Sequence, residues 1–195
     1  MTDPGPRVIE ASLRGFVCAY ARYTEAPYRL GEFVVVREGS YPVIGVVASV
    51  QSGPEDSSRS LQPRGAPGET AAEVMRTNPE IRLLLRTQVG VVACGFLDGG
   101  VLRGGLPPLP CPLLAAVDLA GAEEVAEFAA GCGFLERLVA DPEATDATIS
   151  AAVRRAAESM GPATDSFRVA AGKELARLLR ADPTRLGTIL RGVVA

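Results

Sequence analysis

No histidine occurs among the 195 residues, and lysine occurs once, at Lys173. The first absence removes the side chain that ordinarily takes up a proton near neutral pH, and with it Ser-His and Cys-His nucleophile pairs. It also removes a common zinc ligand. The four cysteines (Cys18, Cys94, Cys111 and Cys132) are widely spaced and form no C-x-x-C pair. Buried free thiols are therefore expected rather than a structural zinc. No uninterrupted apolar run of about 18 residues is present, which argues against a membrane span. The opening residues, MTDPGPRVIE, lack the basic start and apolar stretch of a signal peptide. These absences set the expectation of a cytoplasmic, non-enzymatic protein that needs no cofactor and no metal. Carboxylate chemistry is the catalytic class they leave open.

Hydrophobic residues make up 47% of the chain and charged ones 22%, the balance of an ordinary folded protein. A chain of this length buries about 70% of its unfolded surface, as one domain or two small ones. The net charge of −3 gives no general attraction to nucleic acid. The preference for arginine over lysine, with abundant alanine and glycine, reads as the mark of a GC-rich genome rather than of a function.

Residues 7–50 have the grammar of β-structure. GFVCAY (15–20) and EFVVVRE (32–38) are strand-length runs, and Gly39-Ser40 marks a two-residue turn into YPVIGVVASV. Gly45 inside that strand signals a bulge or a sharp bend. Any small antiparallel sheet fits these signals. Residues 52–70 hold one large apolar side chain, Leu61, too little to offset the entropy of ordering, so a mobile loop is expected there. Trypsin should nick it first, at Arg59 or Arg64. TAAEVMRTNPEIRLLLRTQ reads as helix broken at Pro79, and VGVVACGFLDGGVLRGGL as two strands around Asp98-Gly99-Gly100. The prolines of LPPLPCPLLAAVDLA forbid a central strand and suggest an extended edge segment that closes the β region.

From Gly121 the pattern becomes helical. Short pieces flank Gly131 and Gly133, and Asp141-Pro142 reads as a cap and first turn. Ile149, Val153, Ala156 and Met160 form one apolar stripe, Phe167, Ala171, Leu175 and Leu178 a second. Asp182-Pro183 opens a last helix with Leu186, Ile189, Leu190 and Val193. The acidic groups Glu123, Glu124, Glu127 and Asp141, Glu143, Asp146 are explained by helix starts, which favour negative charge, without a metal. Residues 150–195 carry eight basic side chains (Arg154, Arg155, Arg168, Lys173, Arg177, Arg180, Arg185 and Arg191) against four acidic ones, a net +4. Such a tail either contacts nucleic-acid phosphates or an acidic partner, or is the solvated face of a helical bundle.

The predicted class is α+β: a small antiparallel β-barrel over residues 1–120, with its loop at 52–70, followed by a helical tail or bundle over 121–195. LGEFVVVRE followed by PVIGVVASV, the polar loop, Asn78-Pro79, VGVVACGFLDGG and RGGLPPLPCPLLAAVDLAGAEEV together resemble the HAS-barrel. This is the N-terminal β-barrel of HerA-type DNA-translocating ATPases and of rotary ATP synthase ring subunits. The resemblance covers residues 7–118, with Arg103, Pro107, Pro108 and Pro110 at the family's positions and Cys111 where glycine is usual. In those ATPases a phosphate-binding loop follows the barrel. The Gly-Lys pair here, Gly172-Lys173-Glu174, lacks the first glycine and the hydroxyl, so no nucleotide site is read.

The resemblance implies a non-catalytic accessory or assembly protein that self-associates barrel beside barrel, or docks on the barrels of a separate HerA-type hexameric ATPase. The alternative is a nucleic-acid-binding module acting through the arginines of the tail. EFVVVRE and VGVVACGF are apolar with little alternation, so both faces need cover. Phe33, Val35, Val43, Val46 and Val91 are accordingly the candidate barrel interface. A tail folded back over the barrel, giving a compact monomer, would meet the same need.

Overall fold

Two valine-rich stretches pair along nearly their whole length and form the spine of the fold. In the computed structural model, which describes residues 5–55 and 62–194, β4 (Val43–Pro54) runs antiparallel to β5 (Leu85–Asp98), from Val43 opposite Phe96 to Pro54 opposite Leu85. β3 (Phe33–Val36) flanks β4, and β2 (Gly15–Ala19) flanks β5 with β1 (Arg7–Ala11) beyond it. β6 (Val101–Gly104) folds back on the end of β5 through Gly99 and Gly100, both at positive φ as a tight hairpin requires. β7 (Asp118–Leu119) pairs with β3.

The residues just before β7 pair with β1 at the opposite edge of the sheet. Arg7 faces Ala116, the Val8 amide donates to the Ala115 carbonyl (3.0 Å), and the Val117 amide donates to the Pro6 carbonyl (3.1 Å). The antiparallel sheet is thus curled and barrel-like, and the proline-rich segment joins its two edges as expected. Gly45 sits at the predicted bulge: the register slips between Ile44 and Gly45, and a Cβ there would stand 2.5 Å from Val91 Cγ1.

Helices cover the outside of this sheet. α1 (Ala71–Thr77) and α2 (Ile81–Leu84) lie between β4 and β5. After the barrel come α3 (Ala122–Ala129), α4 (Phe134–Ala140), α5 (Asp146–Ser159), a 3-10 turn at Gly161–Ala163, α6 (Thr164–Leu178) and α7 (Pro183–Val194). The predicted stripes on α5 and α6 face inward, with Ile149, Val153, Ala156, Phe167, Ala171 and Leu175 buried. Val34, Val36, Val47, Val89 and Ala93 point into the barrel with Phe16 and Cys18. Phe33, Val46, Ala48, Val92 and Cys94 point outward and share a core with α3–α7. Phe33 meets Phe134 edge to face at 5.4 Å. At Gly31 (φ +81°) a Cβ would stand 2.5 Å from the Ala151 carbonyl carbon, so the chain before β3 lies against the backbone of α5.

Four local expectations are corrected. The β3–β4 connection spans residues 37–42 rather than two, because Val36 is already opposite Val43. β4 continues to Pro54 and β5 starts at Leu85, so residues 52–54 are paired strand rather than loop, and α2 ends before the predicted helix does. Arg59 and Leu61 lie outside the described residues; Arg64 is exposed and 3.5 Å from Glu80. Asp141 closes α4 instead of capping α5: Thr145 and Thr148 form the capping box, and Asp141 accepts the Glu143 amide at 3.1 Å. Leu190, read as part of the apolar stripe, is 36% exposed.

Candidate functional site

A short turn and a buried carboxylate shape one concavity among the described residues. Between β1 and β2 the Ser12 amide donates to the Gly15 carbonyl (2.9 Å) and the Arg14 amide to Ser12 Oγ (3.2 Å), which projects the Arg14 side chain towards the helices. Its guanidinium reaches Asp141 Oδ2 through Nε (3.4 Å) and Nη2 (3.3 Å). Arg137 of α4 donates to the same oxygen at 3.1 Å and to the Ala93 carbonyl at 3.3 Å. Asp141 is 4% exposed, so one buried carboxylate joins the β1–β2 turn, the barrel wall and the helical layer.

Beside this clasp lies a groove of about 430 Å³, walled by Glu10, Ser12 and Arg14 on one side and Pro142 and Glu143 on the other. Its floor is apolar: Ala11, Phe16, Ala48, Val91 and Val92. Asp141 is saturated by its two arginines and the Glu143 amide, which leaves it structural. The exposed carboxylates of Glu10 and Glu143 have no partner among the described residues. The groove can therefore hold an apolar side chain flanked by a cation.

The five candidate interface residues are all inside the chain. Phe33, Val35, Val43, Val46 and Val91 are between 0% and 6% exposed. Val43 and Val91 fill the barrel interior, while Phe33 and Val46 lie beneath the helices. The cover demanded by these two-sided apolar strands comes from the chain's own helical layer, which corrects the expectation that a second barrel supplies it.

The tail arginines are largely occupied too. Arg155 pairs with Glu158 (2.9 Å), Arg168 with Asp165 (3.8 Å), Arg177 with Glu174 (2.7 Å) and Arg185 with Asp146 (2.7 Å). Arg154 donates to the Gly192 carbonyl. Lys173, Arg180 and Arg191, like Arg154, have no acidic partner among the described residues. Five of the eight are thus engaged within the chain. The two acidic groups are likewise partly spent: Arg37 donates to both oxygens of Glu124 (2.9 and 3.0 Å) and holds its carboxyl below the usual glutamate range. Among the described residues no three metal-ligating side chains converge.

The sequence reading passed over a second surface. In the closing segment Leu106, Leu109, Leu113 and Leu114 are 44%, 55%, 63% and 67% exposed. Leu114 also has φ +65°. The Ala115 amide bonds back to the Pro112 carbonyl (3.3 Å), which makes Leu114 the third residue of a turn whose geometry favours glycine there. A left-handed leucine costs about 1–2 kcal/mol, and this one is left mostly exposed. The signal lay in LPPLPCPLL, four leucines among prolines with no polar residue between. No known protein family matches the sequence, and no curated protein matches it.

Proposed function

We propose that this chain is a non-catalytic, cytoplasmic accessory protein in DNA processing or defence, which docks through its barrel on a separate HerA-type hexameric DNA-translocating ATPase. The leucine belt of residues 106–114 is the observation that carries the reading. Exposed, contiguous apolar side chains on a proline-stiffened segment are a liability for a free protein and an asset at an interface. The proline framework holds these side chains in place before binding, which lowers the ordering cost of association. Residues 7–118, which carry the HAS-barrel resemblance, form the barrel-like sheet, and the belt lies on its closing segment. Docking belongs on this belt rather than on the strand faces, which are filled.

The alternative, nucleic-acid binding through the tail, has less support, because four of its eight cations are paired with carboxylates. Lys173 is exposed within α6, away from any phosphate-cradling loop, and purified protein is expected to hydrolyse neither ATP nor GTP.

The test is co-purification of the tagged chain with a hexameric ATPase from the native cell. Leu109→Asp and Leu113→Asp should abolish capture. Leu114→Gly, which suits the backbone at that turn, should keep the fold and weaken capture. Full capture by a folded Leu109→Asp/Leu113→Asp variant would refute the reading.

A further inference from the structure

We propose that copies of this chain associate head to tail, the outer face of α7 of one copy seating in the groove beside the Asp141 clasp of the next. The charge distribution is the first reason. Residues 150–195 carry +4, so residues 1–149 carry −7. Within that tail, the cations left over after internal pairing lie on or next to α6 and α7. Lys173 and Arg180 have no ion-pair partner among the described residues, and Arg191 reaches Thr188 Oγ1 of its own helix at 3.3 Å.

The second reason is the apolar surface interleaved with them. Leu190 is 36% exposed beside Gly172 of α6, and Val169 and Val194 are 58% and 88% exposed. Single-stranded nucleic acid selects a cationic track with aromatic platforms, and duplex phosphates select dense cations. Aliphatic side chains alternating with isolated cations instead match an apolar concavity rimmed by carboxylates. That groove has this character, with Phe16, Ala48 and Val91 on its floor and Glu10 and Glu143, unpartnered among the described residues, on its walls.

Geometry keeps this face out of the groove of its own copy. α7 runs parallel to α5: Arg185 bonds Asp146, Ser150 Oγ donates to the Ile189 carbonyl (3.0 Å), and Arg154 donates to the Gly192 carbonyl. The groove borders the start of α5, at Pro142 and Glu143. Val194 lies nine residues beyond Arg185, about 14 Å further along the helix axis, so a copy does not fill its own groove. Donor face and acceptor groove are different surfaces, so the contact repeats from copy to copy and ends in a ring or a fibre.

The proposal uses none of the leucine-belt residues, and its test needs neither the ATPase nor nucleic acid. Light scattering and sedimentation equilibrium on the purified chain should give a mass above the monomer at micromolar concentration, falling as salt is raised. Arg191→Glu and Glu143→Arg, both exposed, should each weaken association by about tenfold or more with circular dichroism unchanged. Combining the two should restore it. Leu109→Asp should leave self-association intact, so failure of one interface is distinguishable from failure of the other. A wild-type monomer would overturn the proposal. So would a double variant no tighter than the single ones, or assembly that appears only when DNA is added.

Discussion

Replacing Asp141 with alanine should destabilise the chain by about 3 kcal/mol, chiefly through the arginine it leaves behind. The carboxylate serves two guanidiniums of unequal burial: the Arg137 side chain is 17% exposed and that of Arg14 56%. Arg14 can return to water when its partner goes, so that pair is worth about 0.2–1 kcal/mol. Arg137 is held on α4 against the barrel and keeps only the Ala93 carbonyl, so its charge is left largely uncompensated. Removing one partner of a buried pair costs about 3–5 kcal/mol, and the residual exposure of Arg137 places this case at the low end. Asp141→Asn, which retains an acceptor but loses the charge, should cost about 1–2 kcal/mol. Urea unfolding followed by circular dichroism measures both variants. The alanine variant should melt about 6–12 °C below wild type for a chain of this size. A double-mutant cycle should give a larger coupling for Asp141–Arg137 than for Asp141–Arg14. Should Arg14→Ala cost as much as Asp141→Ala, or Asp141→Ala cost under about 1 kcal/mol, the burial argument fails.

Gly31→Ala should destabilise by about 2–4 kcal/mol, since it combines a left-handed backbone with a clash against α5, whereas Gly53→Ala, with open space around it, should be mild. Burial pushes the Cys18 and Cys94 thiols up to about 12 and Cys111 to about 11, so thiol reagents at mild pH should label the native chain far more slowly than the unfolded one. Rapid stoichiometric labelling of native protein would contradict this. The Arg37 guanidinium lowers the Glu124 pKa below its ordinary 4.5, outweighing burial. Because the folded value is the lower one, the stabilisation is present above the unfolded pKa and lost as pH falls through the folded one. The stability gap between wild type and Glu124→Gln should therefore be open at neutral pH and close on acidification below 4.5.

Local chemistry in the sequence determined the elements of this fold. Short, continuous β-branched runs and glycine turns announced the strands, and Gly45 announced the bulge. The stripes at Ile149, Val153 and Ala156 and at Phe167, Ala171 and Leu175 announced the helices, because a helix face or a strand face is a property of a few neighbouring residues. The prolines after Gly105 announced the closing edge. Tertiary structure decided what covered what. EFVVVRE has no polar face, so the sequence required cover on both sides, yet a second barrel and the chain's own helices satisfy that requirement equally well. Only the packing of Phe33 against Phe134, and of Gly31 against α5, assigns the cover to the same chain. The arginines follow the same logic: their number is written in the sequence, but Arg185 finds Asp146 across 39 positions and Arg14 finds Asp141 across 127. Charge at a site depends on which partners the fold brings within hydrogen-bond reach. The leucine belt became visible last, because a leucine in the chain reads as core until the structure shows it exposed among the described residues.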